Sequence, residues 1–330
     1  MSNERIRLSD IDALRAIAVL SVLFFHASNT VATYPTNLLI RYVGGYGQFG
    51  VDIFFIISGF ILPYVMFISG YKLKNHWKAF LLKRIVRIEP AYLASILLSV
   101  VFGLIVNWIY DKDIYSYSFP QLFAHFLYLN TFLGFDWINP VFWTLAIEFQ
   151  FYLVLMLVYP LLMFKWGRLG VLIAGSLLSY VFPDSSTILH FLPLFLFGIG
   201  TFLRYSGVIN IFWYLLWLAV ACISCHAAIG LLPVVTGLCT SVFILVLKKI
   251  KINWNKHLLF CGSISYSIYL VHYPVVEKLM RISQHLGYSL IAQVFALIGS
   301  MAVAVAMSWA FYQLVEKPSM EIASSVKYRQ

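Results

Sequence analysis

The chain has 330 residues, 62% of them hydrophobic and only 11% charged, against roughly 25% charged in an ordinary soluble domain. Its apolar residues fall in long runs with short polar gaps, which excludes a soluble enzyme. At on the order of 20 apolar residues per crossing, the length accommodates roughly ten membrane spans. The formal net charge of +10 is spread over short clusters between apolar runs rather than on one soluble face, a pattern of membrane topology and not of nucleic-acid binding.

In chain order the predicted spans lie near 13–33, 47–68, 85–109, 141–164, 169–182, 188–203, 209–227, 231–248, 259–277 and 288–315. The first follows Arg5, Arg7 and Arg15, is too long for a secretory h-region and shows no small-residue cleavage site, so it reads as a retained helix. Phe119 to Phe132 is too short to span and is expected to be interfacial or re-entrant. With both termini inside, only Arg41, Lys112, Lys278 and Arg281 of the 23 basic residues fall outside, as the positive-inside rule requires. The fold expected is therefore an all-α polytopic bundle of about ten transmembrane helices, N-in and C-in. Residues 1–330 form one membrane-embedded domain with no appended soluble domain. Cys222, Cys225, Cys239 and Cys261 lie in or beside apolar runs and read as small helix residues, not a metal or redox site. Gly198-Ile199-Gly200 reads as helix packing.

Ionisable groups within a hydrocarbon layer cost several kcal/mol and are functional candidates by default. Those that qualify are Asp12, Arg15, His26, Asp52, Glu148 and His272. Arg15 and His26 are 11 residues apart, about 20° from three full turns, so they share a helix face with roughly 16 Å between them along the axis. That spacing suits a long donor with phosphates at one end and a reactive thioester at the other; a snorkelling arginine and a structurally bonded histidine fit it too. Counting residues from the helix ends puts His26, Asp52, Glu148 and His272 at one depth, about 7–10 Å below the outer surface. At that depth they would partner one another, as a catalytic, structural or proton-conducting cluster. Lys72, Lys74, Lys78, Lys83, Arg84 and Arg87 occupy the expected cytoplasmic loop between the second and third spans. There Arg84 and Arg87, three apart at a helix start, are placed to clamp phosphates.

Six segments together resemble the membrane-bound acyltransferase-3 family, bacterial enzymes that O-acylate cell-envelope and exported glycans. They are Ile11-Asp12-Ala13-Leu14-Arg15-Ala16 with His26 at the family's R-x10-H spacing; Gly50-Val51-Asp52 through Ser58-Gly59-Phe60; and Arg84-x-x-Arg87-Ile88-x-Pro90-x-Tyr92. Trp143 to Tyr152, Ser265 to Pro274 and the closing Glu316-Lys317-Pro318 complete the set. The resemblance implies a ten-helix fold in the bacterial inner membrane, with His26 as the catalytic group and Glu148 and Asp52 beside it. It assigns Arg15, Arg84, Arg87 and Tyr92 to the donor, with Asp12, Ser58 and His272 as further site candidates. Acetyl-coenzyme A or another acyl-coenzyme A serves as co-substrate, a saccharide or lipid-linked glycan as acceptor and membrane lipid as surroundings, with no permanently bound cofactor, no metal and no nucleic acid. Ala146-Ile147-Glu148 departs from the Ser-Val-Glu type run of many members but keeps the carboxylate. His26 would act as general base or form a transient acyl-imidazole. The rival reading is a proton-coupled transporter or exporter using the same buried groups as a relay; no two-fold hydropathy repeat supports it.

Overall fold

The computed structural model describes residues 8–29, 39–111, 114–182, 186–283 and 290–326, all helices and connections with no strand among them. Arg5, Arg7, Lys112, Lys327 and Arg329, used above to orient the chain, and the 30–33 end of the first predicted span lie outside the described residues. The elements are α1 (Leu8–Asn29), α2 (Leu39–Gly45), which runs through a 3-10 turn (Tyr46–Phe49) into α3 (Gly50–Ile68), and α4 (Leu73–Tyr110). Then come α5 (Phe119–Phe126), α6 (Asn130–Leu133), α7 (Phe142–Leu162), α8 (Lys165–Val181), α9 (Ile188–Tyr205), α10 (Ile211–Ala228) and α11 (Leu231–Leu247). The chain closes with α12 (Lys256–Ser263), α13 (Ser265–Ser283), α14 (Leu290–Phe311), a π-turn (Tyr312–Glu316) and α15 (Lys317–Ser325).

Where described, each predicted span falls on helix, but among the described residues seven stretches are long and apolar enough to cross a membrane, or eight if the bent α12–α13 pair is one span. The straight helix expected at 259–277 is instead broken at Ile264, where α12 and α13 meet at 79°. Gly262 causes part of this: a side chain there would strike the backbone of Asp12, so α12 lies directly on α1. At the same break the Glu316 carboxylate accepts from the Ser267 N–H at 3.1 Å and from the Ser267 hydroxyl, satisfying donors that the first turn of α13 leaves free.

A second correction concerns the basic loop. Lys74 to Arg87 belong to α4, whose 38 residues make a rod about 57 Å long, well beyond a hydrocarbon layer of about 30 Å. The helix begins where the Lys72 N–H donates to His76 Nδ1 at 3.0 Å, and nothing between Leu73 and Glu89 is Gly or Pro. Pro90 follows inside the helix without ending it. The short helices expected within 119–132 are present as α5 and α6, α5 opening on a capping box between Ser118 and Gln121.

The core forms where α3 packs along α9. A Cβ at Gly59 would meet the Phe195 carbonyl, and one at Gly198 the Ile56 carbonyl, so the two backbones touch without intervening side chains. Around this contact Phe55, Phe151, Phe191 and Phe195 stack, Phe151 and Phe195 with centroids 4.0 Å apart. Gly198→Ala is expected to cost about 1–3 kcal/mol by forcing the helices apart. The measurement is the unfolding midpoint of the detergent-purified protein, and an unchanged midpoint would show that α3 and α9 separate freely.

Candidate active site

The sequence fixes α1 against its neighbours through small residues. Gly47 and Gly50, three apart, lie against the carbonyls of Ser21 and Ala18, and Gly44 lies against Ser28. The segment Gly44–Gly50 is therefore as close to α1 as two helices can come. This contact carries Arg15 and His26, both on α1, to two cavities that share a wall.

The inner cavity measures about 980 Å³ counted out to its mouth. Arg15 of α1, Ser58 of α3, Arg84 and Arg87 of α4, Glu148 and Tyr152 of α7, and Glu316 line it, with Tyr266 and Tyr269 of α13. Glu148 Oε1 accepts from Ser58 Oγ at 2.9 Å and from the Tyr152 hydroxyl at 2.5 Å. The Arg84 guanidinium lies over the rings of Tyr152 and Phe80, 5.9 and 5.7 Å from their centroids. Tyr266 donates to the Ile88 carbonyl at 3.1 Å, joining α13 to the helix that carries the two arginines. Arg15 and Asp12 approach only to 3.9 Å, each partly exposed, a pair that holds little energy and leaves the guanidinium available to the cavity.

The outer cavity, about 1290 Å³ to its mouth, is lined by His26 and Phe25 of α1, Gln48 and Asp52, Trp143, Phe191 and the turn at Gly230. Val51 and Tyr269 border both cavities. Asp52 is 8% exposed, and its Oδ2 has no hydrogen-bond partner. The His26 ring packs against His272, centroids 5.2 Å apart, and edge-on against Tyr273 at 5.0 Å. His272 is fully buried. Its Nδ1 meets the Ile268 carbonyl at 2.9 Å; a carbonyl only accepts, so Nδ1 carries the proton and the buried Nε2 presents a lone pair with no partner. Trp143 and Phe191 lie side by side, 5.4 Å between centroids.

The structure thus brings Arg15, Arg84, Arg87, Ser58 and Glu148 to one cavity, and His26 and Asp52 to the other, with His272 against His26. It does not gather four titratable groups at one depth. Glu148 is level with Ser58, two turns along α3 from Asp52, and its partners are Ser58 and Tyr152 rather than His26. Counting residues from helix ends does not show which group of a neighbouring helix each side chain meets, and Glu148 meets Ser58. Tyr92 lines neither cavity: fully buried, it stacks on Tyr128 at 4.7 Å and edge-on to Phe142 at 5.0 Å. Asp12 reaches the site only through Arg15. Sequence reasoning missed Tyr152, Tyr269, Glu316 and the Trp143–Phe191 pair as lining residues. Trp143, Tyr152, Tyr269 and Glu316 fall within the segments that carry the family resemblance without being singled out there, and the four-residue spacing from Glu148 points to Tyr152 by geometry. Among the described residues no cluster of His, Cys, Asp or Glu has the arrangement of a metal site.

The inner cavity takes Arg15 from near the start of α1 and the outer cavity takes His26 from near its end, so the two are expected to open at opposite ends of the bundle, which thiol labelling checks. In a background with the four native cysteines replaced, Gln48→Cys in the outer cavity and Ser263→Cys in the inner one are expected to react with an impermeant reagent from opposite faces of sealed vesicles. Reaction of both from the same face would mean that the cavities form one vestibule.

With this geometry in view, comparison with known proteins is informative. A family model described as an acyltransferase domain, that of the acyltransferase-3 family, matches residues 8–312. Nodulation protein 10 of Rhizobium leguminosarum bv. viciae is 28% identical, over 98% of this chain and 96% of its own length. The peptidoglycan O-acetyltransferase OatA of Listeria monocytogenes is 29% identical over 52% of this chain. The O-acetyltransferase OatA of Staphylococcus aureus is 25% identical over 56% of it. These matches cover only 28% and 30% of the two OatA proteins. No solved structure matches the chain.

Proposed function

The chain belongs to the acyltransferase-3 family of multi-pass membrane enzymes, and from that premise we propose that it moves an acyl group, acetyl in the simplest case, from cytoplasmic acyl-coenzyme A to a hydroxyl of a cell-envelope or exported saccharide. The observation that carries this reading is the pair of adjoining cavities on α1, one rich in arginine and entered near Arg15, the other holding His26. In this reading the bundle crosses the bacterial inner membrane ten times with both termini inside, as one domain, and the arginine cavity faces the cytoplasm.

Arg84, Arg87 and Arg15 bind the donor's phosphates through guanidinium forks. Glu148, held by Ser58 and Tyr152, fixes the wall along which the thioester approaches. The acceptor enters the outer cavity, where the Trp143–Phe191 surface suits the C–H face of a sugar and Asp52 accepts from its hydroxyls. His26 takes the proton of the attacking hydroxyl; the oxygen adds to the thioester carbonyl, the C–S bond breaks, and the thiolate leaves with the proton that the imidazolium returns. His272, whose ring packs against that of His26, stands where a His-centred site ordinarily has the carboxylate that orients the imidazole. Peptidoglycan, the acceptor named for the Listeria relative, is one member of the substrate class.

His26→Ala is expected to lower acyl transfer by about 10²–10⁴-fold while the protein stays inserted and monodisperse. The assay uses purified enzyme, labelled acetyl-coenzyme A and glycan analysed by mass spectrometry with and without the gene; retention of more than about a tenth of the wild-type rate would remove His26 from the proton transfer.

Arg84→Ala with Arg87→Ala is expected to weaken donor binding, raising KM for acetyl-coenzyme A about tenfold or more with a smaller effect on kcat, since phosphate contacts act in ground and transition states alike. Lysine at both positions restores part of the loss. Unchanged donor affinity in a calorimetric titration would leave these arginines as topology residues alone.

A further inference from the structure

Outside the two cavities the basic residues at the end of the bundle where α8 and α10 begin are unexplained by acyl transfer. In sequence, Asp184 is the only acidic residue between Glu148 and Glu277, while Lys165, Arg168, Arg204, Lys248, Lys249, Lys251 and Lys256 fall in the same interval. A cleft of about 800 Å³, measured to its mouth, opens between α8 and α10. Lys165, Arg168, Asn210 and Trp213 line its polar part and no carboxylate does, while Leu172 and Leu216 are among its apolar walls. The Lys165 ammonium stands 5.3 Å from the Trp166 ring and 5.6 Å from that of Trp213. Arg168 reaches the Val208 carbonyl only at 3.5 Å, the limit of a hydrogen bond, so most of its donor capacity points elsewhere.

We propose that this cleft binds the headgroup of an anionic phospholipid, its phosphate between Lys165 and Arg168 and its first acyl carbons along Leu172 and Leu216. Three features select a lipid over a free anion. Two cations without an acidic partner form a site for phosphate oxygens. Trp166 and Trp213, 72% and 37% exposed, are the amphipathic rings characteristic of headgroup depth. The apolar wall, which inorganic phosphate has no use for, continues from buried Leu172 to Leu216, 43% exposed on the lipid side. Basic pockets between transmembrane helices recognise anionic headgroups by this combination. The site shares no residue with either cavity of the proposed reaction, so its occupancy is separable from catalysis.

The test is native mass spectrometry of the full chain in detergent, titrated in parallel with phosphatidylglycerol and phosphatidylcholine. Wild-type protein is expected to bind phosphatidylglycerol about tenfold more tightly or better. Lys165→Ala with Arg168→Ala is expected to lose about 25-fold of that affinity, at roughly fivefold per cation, with phosphatidylcholine unaffected. Lys249→Ala with Lys251→Ala, outside the cleft, should change it less than about twofold. Exchanging the charges as Lys165→Arg with Arg168→Lys should keep the preference, which holds the test open where the alanine pair does not fold. No preference for phosphatidylglycerol in the wild type, or an equal loss in the Lys249/Lys251 variant, overturns the site. Complete displacement of the lipid by millimolar inorganic phosphate or glycerol phosphate assigns the cleft to a free anion and overturns the lipid.

Discussion

The structure depends on backbone contact along α1. Gly47 and Gly50 on one side and Gly262 on the other each place their backbone where any side chain would collide with the carbonyl of Ser21, Ala18 or Asp12. In lipid, where burial of apolar surface gives helices little reason to associate, such close approach is a main source of packing energy. It also sets function, because α1 carries the arginine of one cavity and the histidine of the other. A helix held this closely on two neighbours has little room to turn, so the facing of Arg15 and His26 rests on glycines, of which Gly262 also lines the inner cavity.

Charge in the inner cavity follows from the same clamp. Arg15, Arg84 and Arg87 come from α1 and α4, Glu148 from α7 and Glu316 from the π-turn, leaving a formal excess of one positive charge in a partly enclosed space. Field lines from such an excess are concentrated by the low-dielectric walls and favour an anionic visitor. The carboxylates are committed elsewhere: Glu148 to Ser58 and Tyr152, Glu316 to the start of α13. Both carboxylates are thus engaged with hydroxyl and amide donors of neighbouring segments, and among the described residues the shortest ion pairs join Glu277 to Lys278 and Arg281, away from the cavity.

Much of this was legible in the sequence, for reasons particular to each residue. Arg15 and His26 announced themselves because helical periodicity needs only their separation. Glu148 was readable as an ionisable residue in apolar surroundings, Arg84 as one of a basic cluster at a helix start, and Ser58 only through the family resemblance. What escaped depends on how helices stand relative to one another. The height of Glu148 is set by where α7 begins, which no residue count along α7 reveals. The break at Ile264 follows Gly262, whose close approach to Asp12, some 250 positions earlier in the chain, cannot be read from the local sequence. The extension of α4 was within reach: a run of 17 residues free of Gly and Pro from Leu73 to Glu89 favours helix whatever its charge. Tyr92, read from a motif, is part of an aromatic stack that the motif does not describe.

The wall between the cavities explains how two chemistries can be neighbours without merging. Tyr269 and Val51 border both sides, and the Tyr269 hydroxyl is held 2.7 Å from Thr144 Oγ1, which itself donates to the Val141 carbonyl at 2.9 Å. The Tyr269 hydroxyl also reaches the Val141 carbonyl at 3.4 Å, so the two hydroxyls share that acceptor and either can donate to the other. The Tyr269 ring is buried against Phe54 and His272, so turning it aside gives up that packing together with its hydroxyl bonds, each worth roughly 1 kcal/mol net. A phosphate-bearing donor head cannot follow that route, since leaving the arginines for apolar surroundings costs far more than a hydrogen bond. In the proposed reaction the wall thus passes only the uncharged end of the donor. The arginines then serve a second purpose beyond affinity: they hold the charged end back, so that the acyl group alone comes within reach of His26.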